Sequence, residues 1–260
     1  MIGQSKLINL IDKHISNSTM PRTVLLEGEW GCGKHTVSKY ISDKLMMQLL
    51  DITDILNLET LEQITLSPTP RVYLINCSSI SVRDQNAILK FLEEPLKNSF
   101  ILLLSENKST LLNTVVNRCI VWSFEQYSIE ELLSFAEDGV IPKFANTPGR
   151  VIDFSKYRID DMYAFSEKVL LQISKANYSN ILTIPNRISF KVEEDGFPFD
   201  IFTYMLINAS CELYGKGAIP FSVYEKTNEF YNDCKIAHIN KKHLFEHYLI
   251  ELKQLFDWGV

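Results

Sequence analysis

The stretch Gly28-Glu29-Trp30-Gly31-Cys32-Gly33-Lys34-His35-Thr36 limits the fold of this chain more than any other. It stands between an apolar run, Val24-Leu25-Leu26, and a helical stretch from Val37 to Met46, and it fits the spacing G-x-x-x-x-G-K. A strand, a glycine turn and a helix N-terminus together bind phosphate. Backbone N–H groups converge on the oxygens, and the helix dipole adds positive potential. In such a loop Lys34 reaches the β- and γ-phosphates, and a hydroxyl at the next position holds Mg²⁺. That next position is His35. Gly28, Gly31, Gly33, Lys34, His35 and Thr36 are therefore candidate nucleotide-binding residues in a loop with one residue out of pattern.

The rest of the chain supplies a sheet for this loop. Leu7 to Ile15 has helical spacing, Thr23–Leu26 reads as a strand, and the helix after the loop runs to about Leu50. A second helix, about Asp54 to Ile64, ends at the turn Ser67-Pro68-Thr69-Pro70. Val72–Ile75 and Phe100–Leu104 are short apolar runs suited to buried parallel strands. Between them a helix spans about Val82 to Glu93 and stops at Pro95. Leu111–Val116 is a short helix and Ile120–Phe124 a last strand. Alternating strands and helices predict an α/β core, a parallel sheet with helices on both faces. After Phe124 the pattern turns helical. Ser128-Ile129-Glu130-Glu131 is a capping box, and a small helical unit reaches about Ser155. From Asp160 long helices follow, with turns near Pro185, Gly196-Phe197-Pro198 and Gly215–Pro220. In the last of them, entered at Asn240-Lys241-Lys242, Leu244, Tyr248, Leu252 and Leu255 share a face.

Composition excludes several classes. A net charge of −6 over 260 residues is not that of a globally basic nucleic-acid binder, so DNA contact would need a local patch. The five cysteines are scattered with no C-x-x-C pair, which argues against zinc and for free thiols in a reducing compartment. No apolar run approaches the roughly 20 residues of a membrane helix, and the first residues lack a signal-peptide core. The expectation is a cytoplasmic protein with no membrane partner.

An ATPase with this loop next needs a strand ending in two acids, one to hold Mg²⁺ and one to polarise water. Here Val72–Ile75 ends in Asn76-Cys77, and both carboxylates are missing. The following helix identifies the strand. Asn86-Ala87-Ile88-Leu89-Lys90-Phe91-Leu92-Glu93-Glu94-Pro95 resembles the "N-A-L-L-K-x-L-E-E-P" helix of the clamp-loader branch of AAA+ ATPases. Ile2-Gly3-Gln4 resembles that family's N-terminal box near the adenine, and Asn107 falls at its sensor-1 position. Leu111 to Cys119 resembles "L-L-P-T-I-x-S-R-C", in which the arginine, here Arg118, projects toward a neighbouring subunit's ATP. Thr147-Pro148-Gly149-Arg150-Val151-Ile152 resembles the lid segment, with Gly149 in the sensor-2 arginine slot and Arg150 one place late, in the style of the delta-prime subunit of bacterial DNA polymerase III.

The resemblance implies an AAA+ core over 1–124, a helical lid over 125–158 and an all-helical collar over 159–260. The motifs cover about 1–155; the collar follows from helical pattern and length. The span from Thr36 to Val72 is shorter than the family norm and omits its four-cysteine zinc module, so no zinc is expected. ATP or ADP binding is expected to be weak or absent and Mg²⁺ poorly held. The implied role is a non-catalytic or weakly catalytic clamp-loader subunit, bacterial or phage-encoded, in which Arg118 acts as an arginine finger in trans. The implied partners are gamma/tau-like and delta-like subunits, the sliding clamp and primer–template DNA, with Arg83 the candidate DNA contact. Plainer readings stay open: Arg118 as a helix-capping surface arginine, Arg150 and Arg83 as solvated charges. For the whole chain the alternatives are a catalytically active gamma-type ATPase, or an interaction protein of the same fold outside replication.

Overall fold

The computed structural model describes residues 3–56, 61, 64, 69–78, 80–93, 99–136, 144–190, 197–234 and 239–258. The chain divides into two compact units, Met1–Asp153 and Phe154–Val260.

The first unit is built on five parallel strands: β1 (Thr23–Glu27), β2 (Gln48–Asp51), β3 (Arg71–Asn76), β4 (Phe100–Ser105) and β5 (Ile120–Ser123), in the order β2-β3-β4-β1-β5. Strand alternation sends neighbouring side chains to opposite faces. Val24 and Leu26 join Val72, Leu74, Leu102 and Leu104 in one core, covered by α1 (Ser5–Ser16) and α2 (Lys34–Lys44) through Leu7, Ile11, Val37 and Ile41. Leu25, Tyr73, Ile75, Ile101 and Leu103 face the other side, where α3 (Val82–Glu93) and α4 (Asn113–Val116) add Ile88, Phe91, Leu92 and Val115. Both faces of β1, β3 and β4 are therefore buried, which explains their unbroken apolar runs.

One expectation is corrected here. The helix after the loop ends at Lys44, not near Leu50, because Met46 takes a positive φ of 53°. The chain then turns back as the edge strand β2, which pairs with β3 from Gln48↔Arg71 to Asp51↔Leu74. The segment after it opens as a 3₁₀ turn, Thr53–Ile55; most of the expected 54–64 helix, the Ser67-Pro68 turn and Pro95 lie outside the described residues. The remaining elements fall where the pattern puts them. Helix α3 spans Val82–Glu93, and the Ser128–Glu131 capping box is formed in full at the start of α5 (Ile129–Leu133). After α5, the chain is described again from residue 144 into α6 (Pro148–Phe154).

The second unit is mainly helical: α7 (Ile159–Gln172), α8 (Tyr178–Ile181), α9 (Phe199–Gly215), α10 (Phe221–Asp233) and α11 (Lys241–Trp258), with a short parallel pair, β6 (Ile188–Ser189) and β7 (Phe197–Pro198), that periodicity does not reveal. Its core is aromatic. Phe230 stacks on Tyr248 with ring centroids 4.2 Å apart, and Phe245 packs edge-on against Phe202. The buried Tyr248 hydroxyl hydrogen-bonds to Thr227 at 2.8 Å, so the ring is buried without an orphaned polar group. The buried stripe of α11 is Phe245, Tyr248, Leu249 and Leu252, rotated from the expected face so that Leu244 and Leu255 lie at its margins.

Among the described residues no helix is long and apolar enough to cross a membrane.

Candidate nucleotide site

Parallel strands deliver their C-terminal ends to one side of a sheet, where ligands of such folds bind. The glycine loop leaves β1 there and is tied to β4 by the Gly28 N–H, which donates to the Ser105 carbonyl at 3.0 Å. Gly31 and Gly33 have φ of +79° and +100°, conformations that glycine adopts without steric cost. Gly33 caps α2, so the loop opens directly onto a helix N-terminus.

The loop's groups are already paired within the chain. Lys34, 9% exposed, turns its ammonium back on the loop, donating to the carbonyls of Gly28 at 2.5 Å and Glu29 at 2.9 Å. The 146–150 segment lies on the loop's outer side. The Gly149 N–H donates to the Gly31 carbonyl at 2.9 Å, and Thr147 Oγ1 to the Trp30 carbonyl at 2.9 Å. A Cβ at Gly149 would stand 2.5 Å from the Gly31 Cα. The Glu29 carboxylate accepts from Asn146 Nδ2 at 2.6 Å and from Arg150 Nη1 at 2.9 Å. Arg150 is thus built into the junction between loop and segment, with its side chain 14% exposed.

The positions where the sequence motifs would put a metal ligand and a base carry groups of other chemistry. His35 and Thr36 are exposed, and neither side chain makes a hydrogen bond among the described residues. Asn76 Oδ1 accepts the Ser78 N–H at 3.1 Å, closing a turn after β3. Cys77 is buried, and burial pushes its thiol up to about 12, so it is a neutral group at pH 7 that cannot serve as a base there. Asn107 Oδ1 accepts from the Ser109 N–H at 2.9 Å and caps the 3₁₀ turn Lys108–Thr110.

A cavity of about 380 Å³ adjoins the loop, lined in part by Glu27, Glu29, Glu106 and Glu125, with no lysine or arginine in its wall among the described residues. Burial would raise the Glu27 carboxyl, but the Lys108 N–H, the Ser123 hydroxyl and the Lys108 charge outweigh it and hold it below the usual range. Glu27, Glu29 and Glu125 are paired with Lys108, Arg150 and Lys6, so the wall is acidic but largely neutralised and offers a polyphosphate no cation of its own. Gln4 closes one flank: buried, it donates to the Glu125 carbonyl at 2.9 Å and accepts the Glu125 N–H at 3.0 Å. Gly3 lies under the Tyr127 ring, where a Cβ would come within 2.3 Å, and the Tyr127 hydroxyl donates to the Cys32 carbonyl at 2.8 Å. Tyr127 therefore joins the N-terminal segment to the loop; Ile2 lies outside the described residues.

The structure brings Gly28, Gly31, Gly33, Lys34 and Arg150 together. Arg118 is elsewhere, just beyond α4. Its Nη1 donates to the Thr114 carbonyl at 2.6 Å and its Nη2 to Glu93 Oε1, and none of these residues lines the cavity beside the loop. Arg83 is exposed in the first turn of α3, with no ionic partner among the described residues. Sequence reasoning missed Glu29, Asn146, Thr147, Tyr127 and Glu93. Glu29, Thr147 and Glu93 stood inside recognised motifs, but their partners, like those of Asn146 and Tyr127, lie far away in sequence.

Comparison with known proteins agrees with this architecture. A family model described as "DNA polymerase III, delta subunit" matches residues 47–128. The DNA polymerase III subunit gamma of Buchnera aphidicola subsp. Acyrthosiphon pisum is 24% identical over 181 residues, 56% of this chain and 50% of that protein. The subunit delta' of Haemophilus influenzae is 38% identical over 52 residues, 20% of this chain and 16% of that protein. The chain thus spans half or less of the length of these curated relatives. Two Thermotoga maritima structures share the fold. A DNA polymerase III gamma subunit-related protein has a TM-score of 0.52 at 12% identity, over 95% of this chain and 99% of that one. The RuvB Holliday junction branch migration motor has a TM-score of 0.54 at 18% identity, over 96% and 88%. The matched segment runs from β2 through α3 and Arg118 to Ser128, and it includes the Asn86–Pro95 and Leu111–Cys119 stretches. Over residues 47–128 the chain is similar to the clamp-loader subunits of DNA polymerase III, and it shares their fold.

Proposed function

We propose that this chain is a delta-prime-type subunit of a sliding-clamp loader, without ATPase activity of its own, that lends Arg118 to the active site of a neighbouring ATPase subunit. One observation carries the cis half of this reading. On the motif alignment Gly149 stands in the sensor-2 arginine slot, and its contact with Gly31 leaves no room for even a Cβ. The missing carboxylates at Asn76 and Cys77 and the histidine at position 35 support it. Losing charged ligands from a phosphoryl-transfer site removes several kcal/mol of transition-state stabilisation, on the order of known electrostatic terms. The trans half rests on Arg118: its guanidinium is partly exposed, and a guanidinium against a γ-phosphate stabilises the transition-state charge.

The partners in this reading are gamma-type and delta-type subunits, a sliding clamp and primed DNA, with Arg83 free to meet a backbone phosphate. Nucleotide, if held by Gly28–Thr36, is bound loosely and without well-ordered Mg²⁺. The test is turnover and binding by the purified chain. We expect ATP hydrolysis at background and no Mg²⁺-dependent gain in affinity for a fluorescent ATP analogue; vigorous Mg²⁺-dependent turnover overturns the assignment. The gamma relative matches more of the chain than the delta' relative does, 56% against 20%, which favours a catalytic gamma-type subunit as the second reading. The same titration separates the two.

A further inference from the structure

Glu93 ends α3 and Arg118 follows α4, and the two side chains meet in an ion pair. We propose that Glu93 is the positioning residue for Arg118, holding its guanidinium along α4 until the triphosphate on a neighbouring subunit replaces the carboxylate. This rests on the trans role proposed above.

The geometry is that of a holder. Of the two terminal nitrogens, Nη1 is taken by the Thr114 carbonyl one turn back and Nη2 by Glu93, so the fork is oriented rather than loose in solvent. Glu93 is itself carried on a fixed element. Helix α3 is anchored to the start of α4 by Gln85, a buried side chain whose Oε1 accepts the Leu112 N–H at 2.8 Å. Ile88 and Leu92 of α3 share a core with Leu111 and Val115. The carboxylate therefore keeps its place when the arginine leaves.

The exchange is also chemically matched. A carboxylate and a terminal phosphate each offer paired oxygens to a planar guanidinium, so one replaces the other without leaving donors unpaired. Exposure keeps the holding weak. Glu93 is 49% exposed and Arg118 33%, and an ion pair so placed shifts an equilibrium by only about two- to five-fold. A buried pair would lock the finger; this one delays it.

The first experiment uses the isolated full chain and needs no partner. Phenylglyoxal modification of each arginine is followed by peptide mass spectrometry in the wild type and in E93Q. Arg118 should react roughly two- to five-fold faster in E93Q, the size of a lost exposed pair, while Arg83 reacts at the same rate in both. Equal Arg118 rates overturn the proposal. The second experiment reconstitutes the chain with the catalytic gamma-type subunit of the same source. There E93Q should raise kcat by roughly two- to five-fold with KM unchanged, and E93Q combined with R118A should match R118A alone. A purely structural Glu93 would lower kcat or leave it unchanged. If that is seen while R118A still abolishes activity, Glu93 loses this role and the arginine finger stands. If R118A leaves activity intact, the finger reading fails first and takes the Glu93 proposal with it.

Discussion

The first unit holds two motif arginines in opposite ways. Arg150 is sunk between Glu29 and Asn146 at a junction where Gly149 and Gly31 touch backbone to backbone. Arg118 stands a third exposed, with one carboxylate and one carbonyl of the preceding helix for company. Both came from motifs whose relatives place arginines at ATP, so residue type and motif position do not separate them. Their surroundings do. One side chain completes a nearly buried joint, and the other is held by a single exposed ion pair and one carbonyl.

The contrast is broken or sharpened most strongly at Arg118. Arg118→Ala should lower the ATPase of the assembled complex by about 10²-fold or more at the adjacent site, as loss of an arginine finger does, while thermal unfolding of the isolated chain stays nearly unchanged. Unchanged activity would make the two arginines alike. Next comes Gly149→Ala, whose methyl would meet the Gly31 Cα at 2.5 Å. Overpacking of this kind costs about 2 kcal/mol, a fall of roughly 4–8 °C in the unfolding midpoint read by calorimetry; a stable variant would show that loop and segment separate easily. Lys34→Met should cost about 1–2 kcal/mol through the lost bonds to the Gly28 and Glu29 carbonyls. It should leave the complex's ATPase as it was. A large activity loss there would reveal a working cis site. The smallest effect belongs to Glu29→Gln, which keeps an acceptor for Asn146 but removes the charge facing Arg150. We expect about 0.5–1 kcal/mol in denaturant titration, shrinking as salt is added.

Local patterns carried most of the fold. The loop, α3 and the capping box are each specified by residues within about four positions of one another, and they appear where the sequence puts them. β2 was not legible, because the helix before it is ended by a positive φ at Met46, a residue with no turn signature. Within the candidate site, Lys34 and the glycines could be read from spacing. What they bond to could not. Glu29 meets Arg150, and Cys32 meets Tyr127, across long stretches of chain that periodicity does not relate. The absence of charge at Asn76 and Cys77 was visible in one dimension; the contact that makes Gly149 necessary exists only in three.

The strand order has a consequence for synthesis. β1 lies between β4 and β5, pairing Thr23 with Ile101 and Val24 with Ile120. The strand that bears the glycine loop is therefore translated early yet stays without either neighbour until Ser105 and Ser123 have left the ribosome. Such long-range pairing is slow to form and leaves apolar edges open meanwhile. A nascent chain stalled before β4 should be sensitive to protease throughout Thr23–Glu27, with protection arriving late and in a single step.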